Sequence, residues 1–224
     1  MKGSAEVRIL IKEFLVDGPA EASHLFVFAH GAGVGMASPF MDVVAQRIAA
    51  AGIRVVRFHF PYMEDMVRTG QRRPPNGGRI LRQAYADVIR HCIDREHCPP
   101  VRLIIGGKSM GGRVASMIAD AHNVAGVICL GYPFHPPRQP LKLRTEHLGT
   151  MRTPTLICQG ERDTFGTRAE VANYPLSPAI RLHWLADGNH DFEPRRNSGM
   201  APGANLVSAA DTAIEFIHAL PVRK

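Results

Sequence analysis

Short apolar runs alternate with helix-length amphipathic stretches along almost the whole of this 224-residue chain, and that alternation leaves few folds open. Apolar, β-branched runs at 25–29, 54–58, 101–105, 124–130, 155–158 and 180–185 predict strands, and 3.6-period stretches at 40–51, 79–97, 110–122, 167–174 and 205–220 predict helices between them. Strand–helix–strand repetition implies βαβ units and a mostly parallel sheet. Runs such as 101–105, apolar on both faces, suit a central sheet covered by helices on both sides. The stretch 7–16 reads as an antiparallel edge strand or hairpin. Several boundaries have a mechanism: Gly52 stands at the C′ position of one predicted helix, Ser38-Pro39 offers an N-cap followed by proline at N1, and Pro99-Pro100 forbids a helix past Cys98. With no repeat, low-complexity tract or linker, residues 1–224 are expected to form one domain with a sizeable core.

Composition narrows the function. Hydrophobic residues make up 45% and charged residues 21%, a globular balance. The net charge of +7 is spread along the chain, with no basic run interleaved with aromatics, so a nucleic-acid partner is not expected. No apolar stretch is long enough to span a bilayer, and the N-terminus has no apolar leader, so no membrane association is expected. Cys129 and Cys158 lie in buried-strand runs; Cys92 and Cys98 flank a helix end and are close enough in sequence to pair. Four free thiols in the cytoplasm is the simplest account. No Cys/His cluster has metal-ligand spacing, so no metal is expected.

The strongest local signal runs from Val101 to Arg113: a strand, then Gly-x-Ser-x-Gly (Gly107, Ser109, Gly111), then a helix. A serine on such a sharp turn needs tiny residues two before and two after it. The helix that follows points its N-terminal N–H groups at the site, which places the N–H of Met110 to stabilise an oxyanion. Lys108, inside the motif, is expected to be solvated or to act in support.

A hydroxyl is a poor nucleophile without a base, and the base needs an orienting acid. Residues 155–163 read as a strand, a glycine turn and then Asp163; residues 180–190 read as the next strand, a turn and then His190. Serine, acid and histidine in that order, each at the carboxyl end of a later strand, match the arrangement such chemistry requires. Glu161, Asp187 and Asp191 are rival acids: Glu161 is too near its strand end, and the other two adjoin His190 itself. Residues 25–33 form a strand ending in His-Gly-Ala-Gly, where an N–H of Ala32 or Gly33 is expected as the second oxyanion donor and His30 as a brace. A phosphate-loop reading of residues 30–35 lacks both Gly-x-Gly-x-x-Gly and Gly-Lys-Ser/Thr.

Taken together these residues resemble the α/β-hydrolase superfamily over nearly the whole chain. More narrowly, the segments at 30–40, 58–63, 72–75, 106–113, 131–137, 160–163 and 187–190 resemble small bacterial predicted hydrolases whose eukaryotic relatives include a testis-expressed protein and a subunit of the NSL histone acetyltransferase complex. Similarity to dienelactone-hydrolase-like esterases is more distant, and such an enzyme would carry Cys where this chain has Ser109. The resemblance implies an α/β-hydrolase fold and hydrolysis of a carboxylic ester or related acyl bond of a small substrate, with no cofactor. Against the family pattern, Thr164 stands where Pro is expected, and Asp191 stands where Ser is expected, close enough to influence His190.

Two further expectations concern the substrate. After the strand at 54–58 comes a loop bearing Arg68, Arg72, Arg73 and Arg79, on the rim of the site; Arg72 and Arg73 are candidates for binding an anionic group, or simply solvated. Met63 and Phe134 are candidate apolar walls, or simply packing residues. The excursion at 132–154 is rich in proline, with room only for a short helix at 146–151, so little or no lid is expected. Thioesterase or peptidase activity with the same residues, and an idle hydrolase scaffold that binds a partner, are the alternatives to an esterase; nothing sets an oligomeric state.

Overall fold

A computed structural model describes residues 13–221. Seven strands form one sheet: β1 (Phe14–Asp17), β2 (Leu25–Ala29), β3 (Arg54–Phe58), β4 (Leu103–Lys108), β5 (Gly126–Leu130), β6 (Thr155–Gly160) and β7 (Ile180–Leu185). Their order is β1-β3-β2-β4-β5-β6-β7. Only β1 runs antiparallel, Phe14 facing Phe58; every other pair is parallel. The expected edge strand is therefore present as β1, and the part of it before residue 13 lies outside the described residues. The helices are α1 (Pro39–Ala50), α2 (Pro61–Thr69), α3 (Gly78–Arg95), α4 (Met110–His122), α5 (Arg168–Val171) and α6 (Ala204–Ala219).

The alternation of apolar runs and helices has its physical basis in two buried clusters, one on each face of the sheet. Val27, Phe58, Ile105, Val127 and Ile157 pack with Tyr85, Val88 and Ala115 of α3 and α4. Phe26, Phe28, Val55, Ile104, Ile128 and Leu156 pack with Val44, Ile48 and Ala213 of α1 and α6. Successive strand residues point to opposite faces, so a strand buried on both has to be apolar throughout. Burying a side chain of this size is worth about 1.5–3 kcal/mol each.

Pro39 opens α1 and Gly52 follows its end with φ 82°, as expected; Ser38 occupies the N-cap position but its hydroxyl makes no capping bond. The fold corrects two boundaries. Residues 100–102 form a 3-10 turn, so β4 starts at Leu103 and runs on through Lys108 to the serine. The supposed loop after β3 starts as α2: Pro61 occupies its first turn, Tyr62 and Met63 are buried, and Gly70 closes it in the left-handed region. The excursion at 132–154 contains a single 3-10 turn, Glu146–Gly149, and no lid helix. All four cysteines are buried free thiols. No helix among the described residues is long and apolar enough to cross a membrane.

Candidate active site

Ser109 sits between β4 and α4 with φ 49° and ψ −112°, outside the regions open to most L-residues. Two features hold it there. Its N–H donates to Leu130 O (2.9 Å), across to β5. Gly107 and Gly111 let β2 and α4 close on the turn: a Cβ on Gly107 would lie 2.4 Å from Ala29 O, and one on Gly111 2.5 Å from the same oxygen. No side chain fits at either position, which is the physical content of the two motif glycines.

His190 Nε2 lies 2.9 Å from Ser109 Oγ, and His190 Nδ1 lies 2.8 Å from Asp163 Oδ2. A carboxylate only accepts, so Nδ1 carries the ring proton and Nε2 accepts from the serine hydroxyl. Asp163 is fully buried. Its Oδ1 accepts from the Phe165 N–H (2.8 Å), and its Oδ2 also accepts from Gln159 Nε2 (2.9 Å). Gln159 is itself fixed, because its Oε1 accepts from the Tyr132 N–H at 2.7 Å. Phe165 lies against the imidazole, ring centroids 4.3 Å apart. The rival acids are engaged elsewhere: Glu161 with Arg168 (2.6 Å), Asp187 with Arg162 (2.8 Å) and Arg195 (2.6 Å), and Asp191 with Lys108 (3.4 Å). The Asp187 N–H and the Arg168 guanidinium hold the Glu161 carboxyl below its ordinary range. The carboxylate of Asp191 thus faces an ammonium instead of the imidazole.

Met110 opens α4, so its N–H belongs to the first turn and has no intrahelical acceptor. The loop after β2 closes on the other side of the serine: a Cβ on Gly31 would sit 3.8 Å from Ser109 Cβ. Ala32 and Gly33, the expected donors, are exposed on this loop. His30 braces it as expected. The Phe60 N–H donates to His30 Nε2 (3.0 Å), and Nδ1–H donates to Gly31 O (2.6 Å). Burial pushes the His30 imidazole down to about 4, which keeps it neutral, as both bonds require. Tyr62 adds a tie: its hydroxyl lies 3.2 Å from Gly31 O and 3.0 Å from Ala32 O.

Three expectations are narrowed. Met63 and Phe134 are core residues, not walls of a cleft: Met63 is 4% exposed in the cluster under α2 and α3, and Phe134 is fully buried against Tyr132 and Tyr174. Arg68 and Arg79 lie on helices, leaving Arg72 and Arg73 on the exposed irregular stretch between α2 and α3. Lys108 is buried, its Nζ 2.7 Å from His190 O. Gln159, Tyr62 and Phe165 were not anticipated; a glutamine ending an apolar strand just before the acid loop is the one signal that pointed to any of them. Among the described residues no three His, Cys, Asp or Glu side chains converge as a metal site. A cavity of about 220 Å³ lined by His24, Arg54, Glu96 and Arg102 lies at the amino ends of the strands, away from Ser109.

A family described as alpha/beta hydrolase domain matches residues 22–218. Solved structures share the fold. The dienelactone hydrolase from Anabaena variabilis is 24% identical over 93% of this chain and 92% of its own, TM-score 0.69. A serine hydrolase without a lid from Xanthomonas campestris is 17% identical over 94% and 90%, TM-score 0.67. Est1E from Butyrivibrio proteoclasticus, with ferulic acid bound, is 14% identical over 93% and 94%, TM-score 0.68.

Proposed function

The chain belongs to the α/β-hydrolase domain family, and on that premise we propose that it is a serine hydrolase that cleaves a carboxylic ester of a small substrate through an acyl-enzyme. The observation that carries this reading is the unbroken chain from Ser109 Oγ to His190 (2.9 Å) and from His190 to buried Asp163 (2.8 Å). In the first half-reaction Ser109 Oγ attacks the carbonyl carbon while its proton passes to His190 Nε2. Asp163 keeps the imidazole in the tautomer that can accept that proton and stabilises the imidazolium. The N–H of Met110, with that of Ala32 or Gly33, donates to the oxyanion. The imidazolium then protonates the leaving alkoxide. In the second half, water loses a proton to His190 as it attacks the acyl carbon, the acid departs, and Ser109 recovers its proton.

The test uses a fluorophosphonate probe and short p-nitrophenyl esters. Wild-type protein should take one label and turn the esters over, and Ser109→Ala should abolish labelling and cut kcat by about 10⁶-fold, since such residues act as a unit. Absence of both labelling and turnover in the folded wild type would leave a binding scaffold. Acyl-CoAs and aminoacyl amides in the same panel separate ester cleavage from thioester and amide cleavage.

A further inference from the structure

The loop that carries His190 is closed by bonds within itself, Asn189 Oδ1 accepting from the Asp191 and Glu193 N–H groups at 2.9 and 3.0 Å, but these bonds do not involve the His190 carbonyl. Asp187 (φ 51°) and Phe192 (φ 68°) both lie in the left-handed region, on either side of the histidine. An aromatic residue there is strained and persists only where surrounding contacts dictate it. Asp163 and Ser109 grip the ring of His190, but a ring is aimed by its main chain, and the main chain needs its own anchor.

That anchor comes from the residue next to the serine. The Lys108 side chain leaves the end of β4, passes beneath Gly31, whose Cβ would lie 3.6 Å from Lys108 Cγ, and reaches the far side of the site. There Nζ donates to His190 O at 2.7 Å. Phe40 and Phe192 pack against each other, centroids 5.4 Å apart, and together cover one side of the ammonium at 5.3 and 5.8 Å, within the range of a cation–π contact. Asp191 Oδ1 lies 3.4 Å from it. Gly131 gives the pair room: with φ 70°, its Cβ would lie 3.1 Å from His190 O and 3.2 Å from Lys108 Nζ. Burial pulls the lysine below its ordinary range, and the carboxylates of Asp191 and Asp163 oppose that. A lysine 6% exposed on the strand that delivers the nucleophile is not a solvated residue.

We propose that Lys108 is a positioning residue for His190: its ammonium, resting against a packed pair of aromatic rings, pins the histidine carbonyl and thereby sets where the imidazole meets Ser109. The inference rests on the serine-hydrolase reading for its effect on rate, but the pinning itself is a statement about the loop. It also explains why a charged residue occupies the interior of the Gly-x-Ser-x-Gly motif. The lysine and serine are neighbours on one strand end, so one rigid element positions both the nucleophile and its base.

The experiment compares wild type with Lys108→Met, which keeps the length and suits contact with the rings, and Lys108→Ala, which leaves the space beside them empty. Ester hydrolysis, thermal unfolding and hydrogen exchange of residues 186–193 are measured together. Lys108→Met should lower kcat by about 100-fold with KM little changed, the scale expected when a reacting group is misplaced by about 1 Å. Exchange should rise in residues 186–193 and not in the central strands. Methylammonium, and not methanol, should restore part of the kcat of Lys108→Ala by refilling the vacated space with a cation. Unchanged exchange in the loop with unchanged kcat overturns the proposal. So does loss of rate accompanied by faster exchange throughout the sheet and no rescue, since the lysine would then be a general core residue. If the wild type neither hydrolyses esters nor takes the label, the hydrolase reading fails, and the exchange comparison still decides whether Lys108 holds the loop.

Discussion

The nucleophile turn and the histidine loop both contain residues in the left-handed region, Ser109 in one and Asp187 and Phe192 in the other, but they fix their reactive side chains by different means. Ser109 is held mostly by its immediate neighbours in sequence, β4 before it, α4 after it and two glycines that let β2 approach, with one main-chain bond to Leu130 O on the adjoining β5. His190 is held by groups far from it along the chain. Asn205 of α6 donates to Ala186 O and Phe192 O, both at 3.0 Å; Lys108 donates to His190 O at 2.7 Å; Asp163 accepts from the ring at 2.8 Å. Within the loop, the Asn189 N–H donates to Glu193 O and the Phe192 N–H to Asn189 O, both at 3.0 Å, which closes a turn but does not orient it. A site of this kind therefore has a rigid half, whose failure is a failure of folding, and a tethered half, whose failure is a failure of aim.

The largest effect expected from breaking the tethered half is that of Asp163→Asn. An amide in place of the carboxylate can donate to Nδ1 and favour the wrong tautomer, so kcat on p-nitrophenyl esters should fall by about 10⁴-fold with little change in urea stability. A comparable loss of stability would put Asp163 in the rigid half instead. Breaking the rigid half should look different. Gly111→Ala places a methyl 2.5 Å from Ala29 O and 2.7 Å from His30 O, both backbone atoms that have little room to yield. Unfolding in urea should show a loss of about 3 kcal/mol, the upper part of the range for overpacking. Full stability with full activity in that variant would show that the elbow is more compliant than its contacts imply.

The smallest effect is a pH dependence on the rigid side. His30 is buried and neutral, its folded value pushed from 6.5 down to about 4 by burial. Below 6.5 the unfolded chain takes up a proton that the folded chain refuses until about 4, so stability is full above 6.5 and is lost as pH falls through that window. Going from pH 7 to pH 5 should remove about 2 kcal/mol from this group alone. His147, also pushed down to about 4 with burial as the largest cause, acts in the same direction. Urea titrations across the window measure the slope, and His30→Gln should make it shallower. An unchanged slope would mean that the brace tolerates a charged ring.

What could be read directly from the residues was whatever depends on near neighbours. The period of apolar positions located six of the seven strands, and the local sequence around Ser109 placed the elbow, because strand, glycine, serine, glycine and helix are consecutive. Asp163 and His190 were legible for a related reason: each follows a strand end by a few residues, and parallel strands bring all their carboxyl ends to one rim. Helix α2 was hidden because it covers only nine residues and follows a strand almost directly, Pro61 standing in its first turn. Only the tertiary structure decided that Met63 and Phe134 are core residues, that Gln159 fixes Asp163, and that Lys108 turns inward to His190. Gln159 is only four residues from Asp163, but it is aimed by Tyr132 from another strand end, and the partners of the others likewise lie on other elements, so which side chain meets which depends on how strands and helices pack in three dimensions, a choice that no local run of residues encodes.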